Sequence, residues 1–242
     1  MESPPTVIIK VFTGIATQSA EVWYNGDMKI RVCDNRTEDA ACDVTLVRGG
    51  AILPALDTET LCGPGTAITP LYERDGYLCA SAVTQHGAVT QRAFSLNANY
   101  GYRPGDTLEP FIAGGTRCAI AVDVDALRPE PYRVMALRGV QVVFCVRWIE
   151  PSRYNEDFVL FGPWSNAQAN NLFVVDVNNV ETNVICPCAL SGDGTGFLAR
   201  GRTDDFSIEL PTERFYEGQR SFPVFQSYHE ELYRAYFGRE TT

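Results

Sequence analysis

Lysine is nearly missing from this chain of 242 residues: it occurs only at Lys10 and Lys29, and arginine supplies the other basic groups. Acidic residues outnumber basic ones, 30 to 20, for a formal net charge of −10. A broad face for a nucleic-acid backbone needs clustered Lys and Arg, so that class is excluded. Histidine is equally scarce, at His86 and His229. A Ser-His or Cys-His pair would have to use one of them. His86 lies in a Gln-His-Gly turn and His229 stands beside two glutamates, so both read as surface residues. No Gly-x-Ser-x-Gly elbow occurs, and Gly192–Gly196 lacks the lysine of a phosphate loop. No run approaches the ~20 apolar residues of a membrane span. The start, MESPPTVIIKVFTG, is not a signal peptide, because Glu2 and two prolines precede a short apolar run. Internal repeats and low-complexity tracts are absent as well.

Hydrophobic residues make up 45% of the chain and aromatics 11%, enough for a sizeable core. Eight cysteines would suit a secreted disulfide framework, and Asn35-Arg36-Thr37 is a glycosylation sequon. Several cysteines sit inside apolar runs, Cys118 in TRCAIAV and Cys145 in VVFCVRW. There they read as reduced, buried, small hydrophobes. Cys186-Pro187-Cys188 has no second pair to complete a zinc site.

Short β-branched runs alternate with turn signals. Strands are expected at Thr6–Phe12, Glu21–Tyr24, Met28–Cys33, Asp43–Val47, Gly76–Val83, Gln91–Leu96 and Arg117–Val124. Asn25-Gly26 suggests a tight hairpin. Residues Ala51–Glu73 read as an irregular surface excursion, and Pro129 with Pro131 as a loop. Val140–Ile149 is apolar at nearly every position, as in a strand buried on both faces. Leu172–Val177 and Glu181–Cys186 flank Asn178-Asn179 as a second hairpin. Within Gly196–Leu210, Phe206, Ile208 and Leu210 alternate with polar residues, which predicts a late closing strand. Asp123 and Asp125 alternate with valines and read as the wet face of a strand. Only Pro223–Phe237 has helical spacing, with Phe225, Tyr228, Leu232 and Tyr236 on one face. The expected fold class is therefore all-β, a sandwich or barrel with long loops and a short C-terminal helix.

Two segments resemble capsid proteins of the picorna-like viruses. Phe161-Gly162-Pro163-Trp164-Ser165-Asn166 is similar to the Pro-Trp/Tyr-Ser element that precedes a strand there. Arg200-Gly201-Arg202-Thr203-Asp204-Asp205-Phe206-Ser207-Ile208 is similar to their Gly-Asp-Asp-Phe-type last strand, although Thr203 stands where that family usually has Gly. The resemblance implies a jelly-roll β-sandwich over residues 1–242, with an N-terminal arm (1–5) and a C-terminal helical extension (218–242). It implies a structural subunit of a non-enveloped icosahedral shell, without catalysis or cofactor. Its partners would be other capsid subunits and a host receptor, and its place the virion, assembled in the host cytoplasm. Trp164, Phe225, Tyr228, Tyr233 and Tyr236 are the interface candidates, since Tyr and Trp are enriched at contacts. Asp193, Asp204 and Asp205 are candidate Ca2+ ligands, with a solvated edge as the plainer reading. The rival readings are a secreted β-sandwich decoy of poxvirus type for cytokines or chemokines, and a hydrolase using Cys or Asp with His86.

Overall fold

The computed structural model describes residues 26–34, 42–57, 61, 64–95 and 101–221. The expected strands Thr6–Phe12 and Glu21–Tyr24, and the helix Pro223–Phe237 with Phe225, Tyr228, Tyr233 and Tyr236, lie outside them. In chain order the elements are β1 (Met28–Cys33), β2 (Val44–Val47), β3 (Thr66–Ile68), β4 (Tyr72–Arg74), β5 (Tyr77–Thr84), β6 (Gly87–Arg92), β7 (Phe111–Ala113), β8 (Thr116–Val122) and α1 (Pro129–Leu137). Then come β9 (Val142–Val146), α2 (Asp157–Val159), a π-helical turn (Leu160–Trp164), α3 (Ser165–Asn170), β10 (Phe173–Val177), β11 (Thr182–Ile185), β12 (Phe197–Arg202), β13 (Phe206–Leu210) and α4 (Phe215–Ser221).

These strands make two mixed sheets. One runs β13-β1-β2-β3-β5-β4, with β6 also on β5; the other runs β12-β11-β10-β9-β8-β7. A continuous apolar core draws on both sheets. The all-β jelly roll is corrected here, because β1–β2, β2–β3, β8–β9 and β9–β10 pair in parallel. A parallel pair cannot be closed by a hairpin; it needs a crossover, usually a helix. Between β8 and β9 that crossover is α1, and between β9 and β10 it is the helical stretch from α2 to α3. The prolines that suggested a loop open α1 instead, where a missing N–H costs nothing. Pro163 inside the second crossover lies in the π-helical turn, the kind of irregularity that accommodates its absent donor.

Sheet position follows from burial. All five residues of β9 and of β10 are buried, as strands covered on both faces must be. The excursion at Ala51–Glu73 carries β3 and begins β4, so it is part of a sheet. Gly196–Leu210 is two strands in place of one. β12 ends the second sheet beside β11, and β13 ends the first beside β1. Asp204 and Asp205 lie where the chain passes from one sheet to the other. The hairpin at Asn178-Asn179 is present, joining β10 and β11 in antiparallel register.

Inside the second sheet, Arg147 donates Nε–H to Asp176 Oδ1 (2.6 Å) and Nη2–H to Asp176 Oδ2 (2.5 Å), with both side chains buried. Burial opposes the guanidinium charge, but the Asp176 carboxylate more than offsets it and raises the Arg147 pKa.

Candidate functional site

Parallel strands gather their carboxyl ends on one side, and open α/β sheets bind ligands beyond those ends. Three such ends meet here: Gly49-Gly50 after β2, Asp123 after β8 and Trp148 after β9. Trp148 donates its indole N–H to the Gly50 carbonyl (3.4 Å) and its backbone N–H to Asp123 Oδ1 (3.5 Å). Gly49 is required by close approach, since a Cβ there would stand 2.7 Å from the Pro70 Cβ.

Asp123 is the unusual residue. It has φ 51, in the left-handed region that side chains other than Gly, Asn and Asp avoid. It sits at a sharp turn from β8 into a 3-10 helix (Asp123–Leu127) and then α1. A strand–turn–helix with a strained residue at its apex is how hydrolase folds present a nucleophile. Its residue is only 7% exposed, and Asp125 is 0% exposed, so neither forms the wet face of a strand. Asp125 accepts the backbone N–H of Phe94 (2.8 Å) and of Ser95 (2.7 Å). Burial raises its pKa, although those two donors pull it back. It ties the chain after β6 to the Asp123 turn.

The cysteines do not supply a thiolate there. Cys145 lies mid-strand in β9, fully buried, with its sulfur 2.8 Å from the Tyr132 hydroxyl. Burial pushes its thiol pKa up, and does the same to Cys118 in β8. A reactive cysteine needs the opposite, a depressed pKa and solvent access. Both are packing residues. Cys79, Cys118, Cys145, Cys186 and Cys188 are free thiols.

The sequence candidates lie apart in function. Asp193 accepts the backbone N–H (3.0 Å) and hydroxyl (2.8 Å) of Thr195, and these bonds lower its pKa. Asp204 is paired with Arg202 and Asp205 with Arg48. No group of three metal-ligating side chains occurs among the described residues. Trp164 is half-buried and donates its indole N–H to the Thr195 carbonyl (2.9 Å). His86 is exposed in the β5–β6 turn beside Gln85. Asp123, Trp148 and the Gly49-Gly50 pair were missed. The available signal was Pro129-Glu130-Pro131 shortly after an apolar strand, a helix start that turns Asp123 into the apex of a strand–helix corner.

No family model and no curated protein matches this sequence. Solved structures do match in fold. A carbon-nitrogen hydrolase from Helicobacter pylori G27 superposes with TM-score 0.65 at 14% identity, over 88% of this chain and 98% of that one. An amidase mutant from Nesterenkonia sp. AN1, with the acetamide moiety of fluoroacetamide covalently added at its active-site cysteine, gives TM-score 0.66 at 15% identity, over 90% and 100%. Another mutant of that amidase, in complex with butyramide, gives 0.64 at 15%, over 87% and 97%. The amidase is described as a member of the nitrilase superfamily. The fold is thus the mixed α/β arrangement of these hydrolases.

That finding overturns the capsid resemblance and what hung on it: the shell function, the capsid and receptor partners, the virion location and the expectation of no enzyme. The poxvirus-type decoy falls with them. The physical reason lies in the two resembling segments. Phe161–Asn166 lies in the helical crossover, and Arg200–Ile208 is a passage between two sheets.

Proposed function

We propose that this chain is a hydrolase acting on carbon–nitrogen bonds of small amides, with the Asp123 carboxylate as the attacking group. The observation that carries the reading is a buried carboxylate held in the left-handed region at the apex of the β8–α1 corner. The fold similarity to amidases supports the substrate class. The position of Cys145, mid-strand and closed over by Tyr132, directs the choice of nucleophile away from it.

Carboxylates serve as covalent nucleophiles in other hydrolytic enzymes. An Asp123 oxygen attacks the amide carbonyl carbon, the C–N bond breaks, and the amine leaves with a proton taken from water. The hydroxide left by that water then adds to the Asp123 acyl carbon of the anhydride, so that the substrate's carboxylic acid leaves and the Asp123 carboxylate is restored with one oxygen from water. The Trp148 N–H orients Asp123, and Asp125 holds the turn that carries it.

The test is amine or ammonia release from acetamide, propionamide and butyramide, followed by a single turnover in 18O-labelled water. Label is expected in the Asp123 side chain, read by peptide mass spectrometry. A folded wild-type protein that turns over none of these amides overturns the proposal. So does turnover that never places label in Asp123.

A further inference from the structure

The end of β9 is finished by two side chains in place of strands. Arg147 N–H donates to the Val177 carbonyl (3.0 Å), the last backbone rung between β9 and β10. The next same-side rung is made by Asn179. Its Oδ1 accepts the Ile149 N–H at 2.7 Å, and its Nδ2 donates to the Ile149 carbonyl at 2.9 Å. Peptide groups alternate sides along an extended strand. With Arg147 and Ile149 both facing β10, the Trp148 N–H between them is turned toward β8, where it meets Asp123 Oδ1. The turn that presents Asn179 is itself fixed, because Asn178 Oδ1 accepts the N–H groups of Val180 (2.8 Å) and Glu181 (3.0 Å).

We infer that Asn179 is a positioning residue for the Asp123 site: it prolongs β9 beyond its last backbone rung and so aims the Trp148 N–H at the carboxylate. This rests on the proposed role of Asp123 for its catalytic consequence, but not for its geometry. A side-chain amide suits the task because it offers a donor group and an acceptor in one plane, matching the C=O and N–H that one extended residue, Ile149, turns to the same side. Asp at this position would keep the acceptor and lose the donor; Ala would lose both.

The experiment compares wild type with Asn179→Ala and Asn179→Asp by amide hydrogen exchange and amide hydrolysis. In Asn179→Ala, the Trp148 and Ile149 amides are expected to exchange about five- to tenfold faster, the size of one or two lost hydrogen bonds. The amides of Val143, Phe144 and Cys145 should keep their wild-type rates. Turnover should fall in kcat with KM within about twofold, the mark of a transition-state loss. Asn179→Asp should fall between wild type and Asn179→Ala. Unchanged exchange at Trp148 overturns the inference. So does an increase spread evenly over β9 and β10, which would make Asn179 a general support of the sheet. If wild type hydrolyses no amide, the proposed activity fails while the exchange pattern still decides the positioning.

Discussion

Asp123 allows strain and chemistry to be separated with three substitutions. Asp123→Ala and Asp123→Gly both remove the acceptor of the Trp148 N–H, so that loss cancels between them. They differ in the backbone. With φ 51, alanine meets the left-handed penalty, about 1–2 kcal/mol, which glycine avoids. Glycine loses more chain entropy on folding, about 0.5–1 kcal/mol. The Gly variant should therefore be the more stable of the two by about 0.5–1 kcal/mol, a few degrees in Tm for a chain of this size. Chemical denaturation and a thermal melt measure it. Asp123→Asn keeps the shape, tolerates the same backbone and loses the charge, so its stability should stay close to wild type. All three should abolish amide turnover. An Ala variant at least as stable as the Gly variant would refute the strain at this corner. An Asn variant with full turnover would refute the need for a carboxylate.

Asp176→Ala strands the buried Arg147 guanidinium and should cost about 3–5 kcal/mol in a denaturant titration; a loss below about 1 kcal/mol contradicts the buried pairing. Thiol alkylation of the native protein should label the partly exposed Cys188, and reach Cys118, Cys145 and Cys186 only after denaturation. Burial pushes Cys186 up to about 12, so labelling of that thiol in the native state at pH 8 would contradict its placement. The Arg202 side chain holds the Asp204 carboxyl at about 2 against an ordinary value of 3.8. A depressed folded pKa stabilises above the ordinary value and loses that contribution as pH falls from there toward about 2. A carboxyl NMR titration should find the low value, and Arg202→Gln should return it to the ordinary range; an Asp204 that titrates normally in wild type refutes the pairing.

Most strands could be read from the chain, because β-branched runs and turn residues are local signals. β9 was legible down to its burial on both faces, since the uninterrupted apolar VVFCV admits no solvent side. The parallel pairing was not. It depends on which strands are neighbours, and the helices that permit it were hidden. The nine residues of α1 include two prolines, a composition that speaks of a loop until they are placed in the first turn. The second crossover is broken into two short helices around a π-helical turn, so no long helical period survives to be seen. Asp123 and Asp125 misled for a related reason. Alternation with valine does mark a strand edge facing water, but the pattern runs past the end of β8, and both carboxylates turn inward. Burial there is a tertiary fact, produced by the segments that supply the Trp148, Phe94 and Ser95 N–H groups.

The acidic pair at Asp204-Asp205 acquires a different meaning in this architecture. Arg48 follows β2 and immediately precedes Gly49-Gly50 at the site. Its side chain, 8% exposed, donates Nε–H to Asp34 (2.7 Å), Nη2–H to Asp205 (2.6 Å) and Nη1–H to the Asp204 carbonyl (2.7 Å). Asp205 also accepts the Asp34 N–H (3.1 Å). One guanidinium thus binds the end of β1, the end of β2 and the passage from β12 to β13. A planar fork with five donors can serve three acceptors at once, which a lysine could not do with fixed geometry. The partners are exposed enough that each ion pair alone contributes little. Their joint effect is geometric. They hold the residue before Gly49 against both sheets, so the Gly50 carbonyl that receives the Trp148 indole is placed relative to the second sheet as well as the first. The passage between the sheets therefore supports the site from behind, without any of its carboxylates entering it.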